Sequence, residues 1–169
     1  MAHNYIPVEG TLGIQPIEDT STTQMHELGK IVTARHSTYG FGEFIYLKGV
    51  ASTVAGSLVT YSPTLGTTTL APASGYNLSD PVAVSMSANV ASQYGWYQIG
   101  GDVPVKKPAV KALPTSNVYV SGTAGRVRTS AYSGRQVLGA KIQGTTTITT
   151  TTSTVVVTIN RPHIQGKVS

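Results

Sequence analysis

Cysteine is absent from the 169 residues, which excludes a disulfide framework and any thiolate metal site. Packing alone must hold the fold. Charge is scarce as well: Asp, Glu, Lys and Arg make up 11% of the chain, against roughly 25% in an average soluble domain. No run approaches the roughly 18 consecutive apolar residues of a membrane-spanning helix. The opening Met1-Ala2-His3-Asn4-Tyr5-Ile6-Pro7 lacks the basic-then-apolar layout of a secretion signal. A soluble product of a cytoplasm, with no membrane association, is the expectation.

The raw material for catalysis is thin, with Asp plus Glu numbering 7 and His 4. His3, His26, His36 and His163 are far apart, and none has the spacing that sets two imidazoles on one helical face. A Gly-x-Ser-x-Gly nucleophile elbow is missing, and Gly122-Thr123-Ala124-Gly125 is too short, and lacks the lysine, for a phosphate-binding loop. Glu43 and Asp80 would make a carboxylate dyad only if the fold joined them, and Ser79-Asp80-Pro81 reads as a turn. The sequence therefore predicts no enzyme, no cofactor and no metal.

Net charge is +5, a balance that raises nucleic acid or an acidic protein surface as partner. The Lys and Arg residues are dispersed, with Lys106, Lys107 and Lys111 the densest group, and no nucleic-acid-binding motif accompanies them. They read as solvated charges guarding strand edges, so no direct nucleic-acid contact is expected. Thr, Ser, Gly and Tyr cover the rest of the surface, a composition suited to packing against neighbouring subunits. A homotrimer is the expected assembly, since closed cyclic symmetry also shields strand edges.

β-branched and aromatic runs recur between turn signals: Ile31-Val32-Thr33, Glu43-Phe44-Ile45-Tyr46-Leu47, Leu58-Val59-Thr60-Tyr61, Val82-Ala83-Val84-Ser85-Met86 and Tyr94-Gly95-Trp96-Tyr97-Gln98-Ile99. Such spacing predicts an all-β chain, a small barrel or sandwich. Val82, Val84 and Met86 should share one face, and Ala83 and Ser85 the other. Ser62 to Gly66 and Ser121 to Gly125 read as hairpin connections, the second joining Val118-Tyr119-Val120 to Arg126-Val127-Arg128. Only Gln24 to Gly29 offers even one helical turn. The Thr-rich tract from Thr145 to Thr154 leads into Val155-Val156-Val157-Thr158-Ile159 and reads as a long C-terminal hairpin or edge strand, ended by Asn160-Arg161-Pro162.

Residues 1–28 read as an extended N-terminal arm and 29–169 as one β-rich domain. Tyr5, Ile6, Val8, Leu12, Ile14 and Ile17 punctuate the arm, so it is expected to bury against something. Tyr94, Trp96 and Tyr97 are close enough for a stacking platform, though in a β protein such a cluster is more often core.

Two longer stretches stand out. One runs Ser87-Ala88-Asn89-Val90-Ala91-Ser92-Gln93-Tyr94-Gly95-Trp96-Tyr97-Gln98-Ile99-Gly100-Gly101. The other is Tyr39-Gly40-Phe41-Gly42-Glu43-Phe44-Ile45-Tyr46-Leu47-Lys48-Gly49. Together they resemble segments of tailed-bacteriophage head decoration proteins. Gly40, Gly42, Glu43, Phe44, Tyr46, Tyr94, Gly95, Trp96, Gln98 and Gly100 carry the likeness, and none is a catalytic motif. The resemblance implies a β-barrel or β-tulip subunit, trimeric, seated on the outer face of an icosahedral shell. There it would cement neighbouring capsomers and stabilise the DNA-filled head. It also implies an arm (Tyr5, Ile6, Pro7, Val8, Leu12 and Ile14) that binds the major capsid protein. The Thr-rich C-terminal strand has no counterpart in that family and leaves open a glycan- or receptor-binding head-fibre or spike module of a virion, which would need an exposed aromatic platform.

Overall fold

Strict alternation along Ile31-Val32-Thr33-Ala34-Arg35 sends Val32 and Ala34 into the core and leaves Ile31 and Arg35 exposed, as the two-residue period of a half-buried strand requires. The computed structural model of the chain describes residues 4–8, 13–73 and 77–167. Among them there is no helix, and the strands are β1 (Tyr5–Pro7), β2 (Thr20–Ser21), β3 (Ile31–His36), β4 (Gly40–Lys48), β5 (Leu58–Tyr61) and β6 (Thr68–Leu70). They continue with β7 (Val82–Ser85), β8 (Tyr94–Lys106), β9 (Asn117–Val120), β10 (Val127–Arg128), β11 (Gln136–Ile142) and β12 (Thr154–Ile164). All belong to one sheet, whose main path runs β1-β3-β4-β8-β12-β11-β9-β10, with β2, β5, β6 and β7 branching from it. The all-β expectation holds, and the main path is open, with β1 and β10 at its ends.

β8 organises the rest. Gly95, Tyr97, Gln98 and Gly100 each pair with β4 on one side, while on the other β8 meets β2, then β7, then β12. The exchange of partners falls at Gly100-Gly101, where Gly101 has φ +92° and a β-carbon would lie 2.2 Å from the Phe41 carbonyl oxygen. Only glycine fits that approach.

Both faces of the β4–β8 pair are covered. Phe44, Tyr46 and Trp96 pack with Tyr5, Ile17, Val32 and Ala34 on one side, and Ile45, Leu47, Tyr97 and Ile99 pack with Val59 and Ala83 on the other. A third, valine-rich core holds Val103, Val105, Val118, Val120, Val137, Val155 and Val157. Val82 and Val84 join this core and Ala83 the second, the division that strand alternation predicts. Both expected hairpins form: β5–β6 closes around Gly66 (φ +63°) and β9–β10 around Gly125 (φ +70°).

Several expectations need correction. β12 forms a hairpin with β11, yet it is no edge strand, because β8 pairs with its other side. It also runs past Pro162 to Ile164. Proline is tolerated there because pairing with β8 ends at Asn160, and a bulge at Gly139 interrupts the register with β11, so no ladder partner waits for the missing N–H.

The N-terminal stretch does not stand apart: Tyr5–Pro7 pair with Ala34–His36, and Tyr5 and Ile17 are core residues. Apolar residues too sparse for a core of their own complete one supplied by β3, β4 and β8. Residues 24–29 form a bend and a turn in place of a helical turn, closed by Lys30 N–H donating to the Glu27 carbonyl at 3.1 Å.

Lys107, read as a solvated edge charge, is buried. Its Nζ donates to the carbonyls of Val110 at 2.8 Å and Thr149 at 3.0 Å, tying the Thr-rich segment to the loop after β8. Burial lowers its pKa below the usual lysine value.

Candidate interaction face

The two stretches that carry the family likeness become neighbours in space. Tyr46 pairs with Trp96, Phe44 with Gln98 and Glu43 with Gly100, so most of the motif builds the centre of the fold. Phe44, Tyr46, Trp96 and Gln98 are buried. Gly42 is small for a reason: a β-carbon there would come within 2.8 Å of the Gln98 side-chain nitrogen. Gln98 in turn donates to the carbonyls of Gly100 at 2.9 Å and Asp102 at 3.1 Å, fastening the bend in β8. Gly40 turns the β3–β4 hairpin at φ +73°. Tyr94 stacks on Tyr46 with ring centres 6.4 Å apart, and Gly95 lies where Thr20 and Leu47 flank it.

Trp96 and Tyr97 are both 0% exposed. The Trp96 N–H donates to the Gln15 carbonyl and Asn89 donates to the Tyr97 hydroxyl. Neither ring is open to stack a sugar or a base.

Exposed apolar residues gather on the outward side of β1, β3 and β4. Register sets Ile6 opposite Arg35 and Arg35 opposite Phe41, so these three side chains form one row across three strands. A second row holds Thr33 and Glu43, with Val8 beside it through its N–H to the Thr33 carbonyl at 3.0 Å. Ile6 is 70% exposed, Phe41 61%, Val8 53% and Ile31 43%. Four large apolar side chains on one face go beyond the scattered exposure of an ordinary surface. The Arg35 guanidinium lies 5.8 Å from the Phe41 ring centre, a cation–π distance.

Beside Phe41 the face dips into an open cleft of about 330 Å³, floored by Gly42, Gly100 and Gly101 and walled by Ile159. At its rim Arg161 Nε meets Glu43 Oε2 at 3.4 Å. Arg161 holds φ +42°, a conformation unfavourable for a residue with a β-carbon.

Of the arm residues, Tyr5 faces inward, while Ile6, Pro7 and Val8 are exposed and Ile14 is half-buried. Leu12 lies outside the described residues. Val8 turns its N–H toward β3, so alternation along the strand turns the position of Pro7 toward the free edge. Proline offers no donor there, which blunts that edge against added strands. Sequence reasoning passed over Phe41, Arg35 and Ile31 as a group; the available signal was their odd-numbered alternation opposite the buried Val32, Ala34 and Phe44. Glu43 is engaged with Arg161, and Asp80 accepts the Ile164 N–H through its backbone carbonyl. Among the described residues no three His, Asp or Glu side chains gather as metal ligands would.

Comparison with protein-family models, with curated proteins and with solved structures finds no match to the chain.

Proposed function

We propose that this chain is a non-catalytic structural subunit of a virion, which docks the β1–β3–β4 face on the major capsid protein and cements neighbouring capsomers. The observation that carries the docking is the exposed row of Ile6, Arg35 and Phe41 with Val8 and Ile31 beside it. Burying a side chain of this size stabilises a contact by about 1.5–3 kcal/mol. The viral setting comes from the likeness of the β4 and β8 sequences to head decoration proteins. The receptor-binding alternative needs an exposed aromatic platform, and burial of Trp96 and Tyr97 counts against the one its sequence offers.

In this reading the subunit acts as a homotrimer on the outer shell. Three copies of one face held by one body raise the effective concentration of each contact after the first. The test is co-sedimentation of purified protein with heads stripped of it. Wild type should pellet with the heads and Phe41→Asp should remain in the supernatant with an unchanged melting temperature; equal pelleting of the two would reject this face.

A further inference from the structure

A second cleft, of about 170 Å³, opens on the inward side of the β3–β4 turn, where Tyr5, Glu18, His36 and Tyr39 face Met86 and Pro104. The rings are ordered side by side: Tyr5 and His36 centres lie 4.7 Å apart, as do those of His36 and Tyr39. His36 Nδ1 accepts the N–H groups of Thr38 and Tyr39 at 2.9 and 3.3 Å, which fixes the imidazole. Glu18 is held just as firmly, each carboxylate oxygen accepting from Asn4, through its backbone N–H and its side-chain amide, at 3.0 Å.

What the cleft lacks is a cation. No Lys or Arg among the described residues lines it. Among the described residues, the oriented Glu18 carboxylate thus has no Lys or Arg beside it in the cleft, where it sits next to three aromatic rings. Such a pocket favours a charge that is positive at one end and aliphatic along its length, since ring faces attract cations and apolar walls suit the methylene stem of a lysine.

We propose that this cleft is a socket for a primary alkylammonium group, and specifically for a lysine side chain of a partner protein. The ammonium meets Glu18 at the aromatic wall and the stem lies along Met86 and Pro104. The socket is independent of the outward face and of the viral reading.

The test titrates n-butylammonium, n-butanol, spermidine and Nα-acetyl-lysine methylamide into the full chain while NMR follows the ring protons of Tyr5, His36 and Tyr39. The expected result is saturable shifts of these rings with butylammonium and the lysine derivative and none with butanol. Glu18→Gln should weaken both by about tenfold, the loss of one charge-assisted contact. Tyr39→Ala, which leaves the Asn4–Glu18 pair in place, should weaken them too and serves if Glu18→Gln fails to fold. Butanol shifting the rings as strongly as butylammonium, or both variants binding like wild type, would overturn the socket. Tighter binding of spermidine than of the lysine derivative would overturn its assignment to a protein partner.

Discussion

The indole N–H of Trp96 donates to the backbone carbonyl of Gln15 at 2.9 Å, across 81 residues of chain. Gln15 is buried, and its other groups are also engaged: its N–H with His26 Nε2 at 3.0 Å, its Oε1 with the Tyr46 hydroxyl at 2.9 Å and its Nε2 with the Asp19 carbonyl at 2.8 Å. One residue of the N-terminal stretch thereby satisfies the polar atoms of an aromatic core that would otherwise be buried unpaired.

Removal of residues 1–23 should therefore destabilise the whole protein. Burial of Tyr5 and Ile17 alone contributes about 1.5–3 kcal/mol each, and the lost Gln15 bonds add to that. Trp96 emission, shielded from acrylamide in the full chain, should shift to the red and become quenchable. An unchanged melting temperature for the shortened chain would count against this packing.

Stability should also fall in mild acid. Burial, with Lys30 second, lowers the pKa of His26 below its ordinary 6.5, and protonation of Nε2 would break its bond with Gln15. A depressed folded pKa means that the unfolded chain takes up the proton first. The contribution is complete above pH 6.5 and is lost as pH falls from there through the folded pKa. Melting temperatures measured across that window should decline for wild type and decline less for His26→Phe, a variant less stable at neutral pH.

Lys107→Met should loosen the Thr-rich segment. The methionine fills much of the same space but leaves the Val110 and Thr149 carbonyls without their donor, at a cost of about 1 kcal/mol for each hydrogen bond lost. Limited proteolysis should cut between residues 143 and 153 faster in the variant, whereas equal rates would show that the lysine does not hold the segment.

Gly101→Ala should be more damaging than an alanine elsewhere in β8. Its β-carbon would press on the Phe41 carbonyl, and φ +92° is strained for alanine, together costing on the order of 1–3 kcal/mol or more. Amide exchange should quicken in β4 and at Asn160; a variant as stable as wild type would show that the bend has slack.

Strand positions were legible in the sequence where alternation and turn residues coincide, as in Ile31-Val32-Thr33, Val82-Ala83-Val84 and both short hairpins. The position of β12 was not, because Pro162 signals an edge and only the bulge at Gly139, with the end of β8 pairing at Asn160, reveals how a central strand accommodates it. Lys107 misled in the same way, since the sequence cannot show that backbone carbonyls will solvate a buried ammonium. The exposed β1–β3–β4 face was half legible: Ile6 and Val8 stood out as apolar residues in a polar stretch. Their alignment with Arg35 and Phe41 depends on long-range register that no local pattern encodes.

The most direct test of the cementing role is the temperature at which heads release their DNA. A subunit that binds the intact shell and not its dispersed parts stabilises it by about 3–4 kcal/mol at one hundred to one thousand times its dissociation constant. Stripped heads, heads restored with wild-type protein and heads incubated with Phe41→Asp would be heated side by side while a DNA-binding dye reports release. Restored heads should hold their DNA to a higher temperature than stripped ones, and heads given Phe41→Asp should behave as stripped; identical release temperatures for all three would contradict the account.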